Sequence, residues 1–349
     1  MRLLIATVQI PFMRGGAEMH AEGLQSALRT AGHEAEIVAI PFKWYPPERI
    51  LDHMLACRLL DLTNFSGIDV DRVIGLKFPA YYVRHPNKVL WILHQHRQAY
   101  DLWDRPEACD LKFHPRGAEV CGAIRAADRE LLPDAKAIFT NSQNVSARLK
   151  KYCGMDSVPL YHPPRNADRF YCSDSGDYFF FPSRIGRLKR QKLILEALAG
   201  THHQVQVRFA GIPEHPADLD ELTKFVRQSG LDRRVAWLGW ISEEQKFQEY
   251  ASALGVLYPV LDEDYGYVTL EAMLSGKPVI TCTDSGGPNE FVMDGRTGLA
   301  ADPSAAALAA AMDRLWENRQ AAAQMGRSGR DHYASLNISW RTVVRSLLA

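Results

Sequence analysis

The stretch PVLDEDYGYVTLEAMLSGKPVITCTDSGGPNEFVMDGRTG, residues 259–298, is the part of the chain with the densest chemistry. It combines two carboxylates, Glu263 and Glu271, with a Tyr-Gly-Tyr loop at 265–267 and a Ser-Gly-Gly turn at 285–287. Carboxylates accept hydrogen bonds from sugar hydroxyls, and the free amides of a helix start hold anions. The stretch therefore predicts a site for a ligand that is both polyhydroxylated and phosphorylated.

On both sides of this stretch, short apolar runs alternate with amphipathic segments, a pattern typical of α/β proteins with parallel sheets covered by helices. The predicted strands are 3–8, 35–40, 72–74, 89–93, 137–140, 178–182, 205–210, 235–238, 254–258 and 278–281. The predicted helices are 17–30, 48–60, 116–130, 144–152, 191–198, 217–229, 243–251 and 268–274, with a helical tail at 304–349. Parallel sheets bind ligands beyond the carboxyl ends of their strands.

The pattern is interrupted once, at residues 161–177, which are rich in Pro, Asp and Ser and show no period. A chain of 349 residues is too long for one ordinary hydrophobic core, so this interruption predicts a domain boundary. The predicted domains are 1–165 and 166–330, and we expect a helix in 331–349 to return to the first domain. Interfaces between domains are favoured ligand sites.

Composition excludes several classes of protein. Lys and Arg total 41, as do Asp and Glu, so the chain lacks the basic excess of a strong nucleic-acid binder. The six cysteines are scattered without metal-binding spacing, which argues against zinc and suits a reducing compartment. The apolar start predicts a first strand rather than a signal peptide, and no apolar run reaches transmembrane length.

A basic turn, SRIGRLKRQK at 183–192, follows the first predicted strand of the second domain. Its cations would repel one another without a counter-anion, which a diphosphate could supply. The alternative is an ordinary solvated turn. The five cations are Arg184, Arg187, Lys189, Arg190 and Lys192.

Two further features precede the boundary. The sequence RGGAE at 14–18 follows the first strand, and its adjacent Gly15 and Gly16 allow close approach of a phosphate to a helix start. It is not the G-x-G-x-x-G fingerprint, which disfavours a dehydrogenase. His94 and His96 follow another strand, where a site role and a chance placement remain open. Glu263 and Glu271 could likewise be an acid–base pair or paired acceptors for hydroxyl groups.

Three motifs in this order resemble those of the group 1 glycosyltransferases, the retaining family 4 with the GT-B fold. They are GGAE at 15–18, IGRLKRQK at 185–192 and EDYGYVTLE at 263–271. The resemblance implies two Rossmann-like domains whose parallel sheets face each other across a cleft. The first domain would bind the acceptor, and the second would bind a nucleotide-sugar donor.

The resemblance also implies roles for individual residues. Arg187 and Lys192 would bind the donor diphosphate, and Glu271 would accept hydrogen bonds from the ribose. Other implied contacts come from Glu263 and the amides of Tyr265, Gly266 and Tyr267 to the donor sugar, from Gly15 and Gly16 to phosphate, and from His94 near the donor sugar and acceptor. No cofactor and no metal are expected. Asp264 replaces a glycine usual in the family, which puts the choice of donor sugar in question.

The implied reaction is retaining transfer of a sugar from a UDP- or GDP-linked donor to an acceptor hydroxyl on a glycan, a lipid-linked molecule or a small molecule. A sugar-nucleotide epimerase on the same fold and a non-catalytic sugar-nucleotide-binding protein remain alternatives. We expect a cytoplasmic protein, at the inner face of the membrane if the segment 42–60 contacts lipid. The apolar stripe of that segment is the reason for this expectation, although such a stripe more often belongs to the core.

Overall fold

A computed structural model describes residues 1–12, 15–106 and 108–349 and divides the chain into two compact units. Unit 1 comprises Met1–Arg165 and Ser339–Ala349, and unit 2 comprises Asn166–Ile338. The division after Arg165 falls inside the segment without periodicity. The chain returns to unit 1 at Ser339, later than the predicted residue 331.

Unit 1 is organised around a six-stranded sheet with the order β2-β1-β5-β6-β7-β8, in which all pairs are parallel. Two further short strands, β3 and β4, form an antiparallel hairpin. All residues of β6 are buried, because helices cover both faces of a parallel sheet. The strands are β1 (Arg2–Gln9), β2 (Glu34–Pro41), β3 (Asn64–Phe65), β4 (Ile68–Asp69), β5 (Arg72–Gly75), β6 (Lys88–Ile92), β7 (Ala137–Thr140) and β8 (Val158–Pro159).

The helices of unit 1 present apolar stripes to this sheet. The stripe of α1 includes the fully buried Leu24 and Leu28. Local signals set the ends of α4: the Ser142 hydroxyl accepts a hydrogen bond from the Val145 amide, and Gly154 ends the helix in the left-handed region. The helices are α1 (Gly16–Thr30), α2 (Arg49–Leu59), α3 (Gly117–Leu131) and α4 (Gln143–Cys153).

Unit 2 repeats this architecture with the strand order β11-β10-β9-β12-β13-β14, again parallel throughout. The run Phe179, Phe180 and Phe181 fills both faces of the central strand, and all three side chains are fully buried. The strands are β9 (Tyr178–Pro182), β10 (Gln206–Ala210), β11 (Val235–Gly239), β12 (Gly255–Leu257), β13 (Val279–Cys282) and β14 (Gly298–Ala301).

The helices of unit 2 are α5 (Gln191–Ala199), α6 (Pro216–Gln228), α7 (Glu243–Ser252), α8 (Tyr267–Leu274), α9 (Ala305–Glu317) and α10 (Arg319–Ser335). A final helix, α11 (Trp340–Leu348), belongs to unit 1 and buries Val343 and Leu347. Trp340 lies against Gly23 of α1, where an added Cβ would approach its ring to 2.5 Å. Only a glycine leaves room for this tryptophan, so the contact between Gly23 and Trp340 positions α11 against α1.

The order of strands reverses between β9 and β12 in unit 2, and these two strands are hydrogen-bonded neighbours. Open parallel sheets bind ligands at such a reversal, beyond the carboxyl ends of the strands. The loop after β9 is the basic turn 183–192, and the loop after β12 begins the stretch 259–298. The topology therefore brings together the two motifs that the sequence singled out.

The prediction of an α/β fold with parallel sheets is confirmed. Most predicted elements agree with the observed ones to within one or two residues at each end. The sequence prediction missed β3, β4, β8 and β14, and it made β12 longer than its observed three residues. These strands are too short to show a period of their own, and pairing with neighbours defines them.

Candidate functional site

Backbone hydrogen bonds connect the loop after β12 to the basic turn and to the Ser-Gly-Gly turn. The Leu261 amide donates to the Leu188 carbonyl over 2.9 Å, and the Glu263 amide donates to the Ser285 carbonyl over 2.8 Å. The Gly287 amide returns a 2.8 Å bond to the Glu263 carbonyl. Three segments that are distant in sequence thus form one rigid edge at the carboxyl end of the unit 2 sheet.

Glu263 is paired with a cation that sequence reasoning did not assign to the site. Its carboxylate forms an ion pair with the ammonium of Lys189 and a hydrogen bond with the hydroxyl of the buried Tyr258. Burial and the nearby Glu263 carboxylate raise the pKa of Tyr258 well above its usual range, so this hydroxyl stays a donor. The Glu263 side chain remains 21% exposed, which leaves it accessible to a ligand.

Carboxylates of the protein itself neutralise most of the basic turn. Four of the five cations therefore have a counter-charge within the protein, and the binding of a diphosphate by this turn stays a prediction. The partner oxygens lie within 3.1 Å in every pair, and the turn needs no external anion to be stable. The pairs are Arg184 with Glu214, Lys189 with Glu263, Arg190 with Asp284, and Lys192 with Glu221.

Arg187 differs from these four cations. It opens a short 3-10 turn, Arg187–Lys189, and its side chain is exposed without a hydrogen bond or ion pair to any residue that the structure describes. Lys192 points to Glu221 on α6 over 3.0 Å, and this carboxylate raises the pKa of Lys192. Both side chains of that pair are mostly exposed, and exposed ion pairs are weak, so Lys192 can exchange Glu221 for a phosphate at little cost.

Arg190 holds the basic turn in shape, a role that sequence reasoning missed. Its φ of 58° lies in the left-handed region, which costs a non-glycine residue about 1–2 kcal/mol. Two parallel hydrogen bonds of 2.7 and 2.6 Å to the Asp284 carboxylate offset this cost. No local sequence signal indicates the pair, since Asp284 lies far along the chain in the loop after β13.

The Tyr-Gly-Tyr loop starts α8 as predicted. Gly266 caps the helix with a φ of 83°, and an added Cβ would lie 2.9 Å from the Pro288 ring. Tyr265 is buried, with its ring centroid 5.2 Å from that of Tyr267 and 5.8 Å from that of Phe291. The aromatic contacts and the glycine cap fix the direction of the first amides of α8, which are donors without acceptors inside the helix.

Asp264, the departure from the family pattern, lies at the tightest point of this loop. An added Cβ on Gly287 would come within 2.8 Å of the Asp264 carbonyl oxygen, so the two turns touch through their backbones. The Asp264 side chain is half-buried at the rim of the same loop as Glu263. Its carboxylate therefore adds negative charge near the predicted position of the donor sugar.

Glu271 is more deeply buried than Glu263 and has its own set of donors. The Tyr250 hydroxyl donates to its carboxylate over 2.7 Å, and the Lys246 ammonium lies 3.2 Å away. Burial opposes the charge of Lys246, but Glu271 and Glu243 together raise its pKa above the usual range. Because Glu263 and Glu271 each pair with a separate lysine, the geometry favours two acceptors for hydroxyls over an acid–base dyad.

The glycine loop of unit 1 is partly occupied by the protein itself. Gly15 caps α1, which begins at Gly16, and its amide donates to the Glu18 carboxylate over 2.7 Å. This amide, one of the predicted phosphate donors, is therefore already bonded, and a phosphate would have to displace Glu18. Arg14 of the same motif lies outside the described residues.

His94 lines a cavity of about 260 Å³ in unit 1, and His96 lies deeper in the same wall. The ring Nδ1 of His94 is 2.7 Å from the Gln95 carbonyl oxygen, which favours a proton on Nδ1 and leaves Nε2 as an acceptor. Burial, and then the neighbouring His94, lower the pKa of His96 to about 4. The other lining residues are Ile10, Phe42, Trp44, Lys77, Phe78, Arg97 and Gln98.

Behind His94 lies a buried cluster that the sequence did not reveal. The carboxylate of Asp128, which has no exposed surface, accepts hydrogen bonds of 2.6–3.0 Å from three tyrosine hydroxyls and one of 3.1 Å from the Gln95 amide. Burial raises the pKa of Asp128 even though these donors oppose the shift. The cluster anchors the residue next to His94. The three tyrosines are Tyr81, Tyr82 and Tyr100.

Within the described residues, no three His, Cys, Asp or Glu side chains are placed together to hold a metal ion. Asp262 and Asp264 flank Glu263 in sequence, and Glu263 forms an ion pair with Lys189. That the reaction needs no metal stays a prediction.

Comparison with known proteins identifies the second half of the chain. Residues 172–332 match the sequence model of the glycosyl transferases group 1. Residues 172–332 form a group 1 glycosyltransferase domain. Among curated relatives, the Alpha-1,3/1,6-mannosyltransferase ALG2 of Dictyostelium discoideum is 30% identical over 174 residues. That match covers 45% of this chain and 41% of the relative, so the chain spans less than half the length of ALG2.

Solved structures extend the similarity of fold beyond the group 1 glycosyltransferase domain. Sucrose-phosphate synthase from Thermosynechococcus elongatus matches with a TM-score of 0.80 and 18% identity, covering 99% of this chain and 98% of that one. Anabaena HepE in complex with UDP and glucose matches with a TM-score of 0.72 and 18% identity, covering 100% and 98%. The chain has the GT-B fold, as its motifs predicted.

Proposed function

We propose that the protein is a retaining glycosyltransferase that moves a sugar from a UDP- or GDP-linked donor to an acceptor hydroxyl. Membership of residues 172–332 in the group 1 glycosyltransferases supports this proposal. The observation that carries it is the edge of the unit 2 sheet, where Glu263, the basic turn and the start of α8 are bonded into one unit.

The chemical task is to stabilise negative charge on the departing nucleotide diphosphate. Arg187 meets this need because it is exposed and forms no ion pair or hydrogen bond with a described carboxylate. Lys192 joins it after leaving Glu221, and the first amides of α8 add fixed dipoles. Donors aimed in advance at the developing charge stabilise a transition state without reorganising.

The hydroxyl groups of the donor need acceptors, and the two glutamates supply them. Glu271, whose carboxylate lies 3.2 Å from the Lys246 ammonium, accepts hydrogen bonds from the ribose. Glu263 presents its exposed carboxylate edge to the sugar. In unit 1, the cavity beside His94 has aromatic walls and carries Lys77, and we assign to it the acceptor. We assign to His94 a contact with the donor sugar and the acceptor hydroxyl, the role that the family resemblance implies.

The decisive experiment compares Arg187→Ala with the wild-type chain and with Arg184→Ala as a matched control. Both arginines are exposed and lie in the same turn, but Arg184 pairs with Glu214. We expect Arg187→Ala to lower transfer by about 10²–10³, because one transition-state donor is worth about 3 kcal/mol. Transfer at the wild-type rate by both Arg187→Ala and Lys192→Ala would refute the assignment.

The rival functions predict different products in the same assay. An epimerase converts the nucleotide sugar without any acceptor, and the product has the mass of the substrate. A non-catalytic binding protein binds the donor but releases no nucleoside diphosphate with any acceptor. A first screen by thermal shift against UDP- and GDP-sugars identifies the base, since ligand at 100 times its Kd adds about 2.7 kcal/mol to stability.

The proposal includes a cytoplasmic location without a metal or cofactor, and contact with the membrane through the segment 42–60. None of the helices in the described part of the chain combines the length and apolar character needed to span a bilayer. Helix α2 buries Ile50 and Cys57 in the core but exposes Leu55 and Leu59. Sedimentation with anionic vesicles tests the contact, and Leu59→Glu should weaken it.

A further inference from the structure

Unit 1 contains a second cavity, of about 360 Å³, at the opposite end of β6 from His94. Lys88 is the first residue of β6, and His94 follows its last residue, so the strand separates the two cavities by about 16 Å. Nothing in the proposed transfer reaction uses this place. The lining residues are Arg58, Thr63, Arg84, His85, Pro86, Lys88 and Asp134.

Lys88 is the unusual residue of this cavity. It is only 1% exposed, and within the described part of the chain its ammonium makes a single hydrogen bond, a long 3.4 Å contact to the Tyr81 carbonyl oxygen. Burial lowers the pKa of Lys88 to about 8, with Asp134 opposing this shift and Arg58 adding to it. A buried ammonium without a close anionic partner is costly unless a ligand completes its contacts.

The other charges around the cavity are already satisfied. Arg58 and Asp134 form an ion pair of 3.2 Å, which cancels both charges. The Asp61 carboxylate accepts two hydrogen bonds from Thr63, of 2.9 Å from its amide and 2.7 Å from its hydroxyl. His85 uses both ring nitrogens, since Nδ1 accepts from the Asn87 amide and Nε2 lies 3.0 Å from the Val70 carbonyl oxygen.

Among the described residues that line the cavity, the cations Lys88 and Arg84 are the two without an ion pair. The Arg84 side chain is exposed at the cavity and makes no hydrogen bond or ion pair with another residue that the structure describes. An arginine supplies a planar fork of donors and a lysine supplies a compact charge, a combination suited to the oxygens of a phosphate group. The cavity volume lies at the lower end of the range for small-molecule sites.

We propose that this cavity is an anion site that binds a phosphate group, free or as a small ester, between Lys88 and Arg84. The bound dianion holds Lys88 in its protonated form and replaces the contacts that its ammonium lacks. Affinity therefore falls as the pH rises above about 8, where the lysine of the free protein loses its proton. Binding near this pH takes up a proton from solution. The site is independent of the donor site, which lies in unit 2.

Isothermal titration of the full chain with inorganic phosphate tests the proposal, with glycerol 3-phosphate as a second arm. We expect Lys88→Met to weaken phosphate binding at this site by about tenfold or more, since hydrogen bonds to charged groups are worth about 1.5–3 kcal/mol. Arg84→Ala should weaken it in the same direction. Because Arg84 is exposed, that variant is expected to fold even if Lys88→Met does not.

Lys136→Met is the matched control, because Lys136 is exposed and its amide donates to the Lys88 carbonyl without its side chain lining the cavity. It should bind phosphate like the wild type. Titration at pH 8 in buffers of different ionisation enthalpy should show proton uptake in the wild type that Lys88→Met lacks. Equal phosphate affinity in the wild type, Lys88→Met and Arg84→Ala would overturn the proposal, and any phosphate held at the donor site is unaffected by these substitutions. Tighter binding of glycerol 3-phosphate than of inorganic phosphate would support a phosphate ester as the ligand.

Discussion

The two units each contain a buried carboxylate, but they satisfy it in different ways. In unit 1, Asp128 is surrounded by neutral donors, three tyrosine hydroxyls and the Gln95 amide, and it has no contact with solvent. In unit 2, Glu271 and Glu263 face lysines and keep 11% and 21% of their side chains exposed. The carboxylate of unit 1 is thus inaccessible to a ligand, whereas those of unit 2 remain partly accessible.

This difference distinguishes a carboxylate that stabilises the fold from one that can bind a ligand. A carboxylate whose acceptor positions are filled by buried neutral donors has nothing left to offer a ligand, and it fixes the local structure instead. A carboxylate paired with a cation at an open edge can still accept hydrogen bonds from hydroxyl groups. We therefore expect changes at Asp128 to act on stability and changes around Glu263 to act on transfer.

The largest effect on stability should come from Asp128→Ala. We expect it to lower the free energy of unfolding by about 3–5 kcal/mol, because four donors lose their acceptor in a dry interior and each unpaired donor costs about 1–3 kcal/mol. Urea unfolding measures the change. Glu130→Ala, at an exposed position of the same helix, should stay within about 0.5 kcal/mol of the wild type. An unchanged midpoint for Asp128→Ala would refute the supporting role.

Acid should destabilise unit 1 through its buried histidines. Burial lowers the pKa of His20 to about 3 and that of His96 to about 4, while both have the ordinary value of 6.5 in the unfolded chain. Between these values the unfolded state binds more protons, so stability falls as the pH drops through 6.5. At pH 5 each histidine should cost about 2 kcal/mol.

The variant His20→Phe isolates one of these contributions. His20 packs against the rings of Trp91 and His162, so an aromatic replacement keeps most of the contacts but cannot take up a proton. Its stability should depend less on pH between 7 and 5 than that of the wild type. Identical pH dependence in chemical unfolding of the two proteins would contradict the prediction.

Glu271→Gln should combine both kinds of effect, because Glu271 is buried and is proposed to bind the ribose of the donor. The glutamine still accepts from the Tyr250 hydroxyl but no longer neutralises Lys246, so we expect a loss of about 1–3 kcal/mol in stability. Donor affinity, measured by titration with the nucleotide sugar, should also fall. Glu243→Gln removes the other, more exposed partner of Lys246 and should leave donor affinity unchanged.

The smallest effect should come from Glu221→Ala. This carboxylate pairs with Lys192 on the surface, where ion pairs contribute little to stability. The substitution frees Lys192 from its partner inside the protein. Donor affinity should therefore be equal to or higher than that of the wild type, with an unfolding midpoint close to that of the wild type. Clearly weaker donor binding would place Glu221 itself in the site.

Much of the site could be predicted because its parts are local motifs. The basic turn and the loop after β12 each lie within about ten residues, and their glycines and charges are readable without the fold. The ion pairs that join these two motifs to each other and to the loop after β13 could not be predicted from the sequence. Lys189 and Glu263, or Arg190 and Asp284, are too far apart in sequence for any spacing rule, and the adjacency of β9 and β12 alone brings them together.

The Asp128 cluster and the Lys88 cavity could not be predicted from the sequence at all. Asp128 lies in an amphipathic helix, where an aspartate ordinarily faces solvent. Lys88 is the first residue of an apolar strand, and a lysine at such a position is ordinarily exposed at the surface. The sequence by itself determined the alternation of strands and helices, the two-unit organisation and the motifs of the proposed donor site, because these depend on neighbours along the chain. Only the tertiary structure decided which carboxylates are fully buried supports and which remain accessible to a ligand. It also decided which lysine is buried without an ion pair. The physical reason is that these properties depend on burial and on contacts between segments that are distant in sequence.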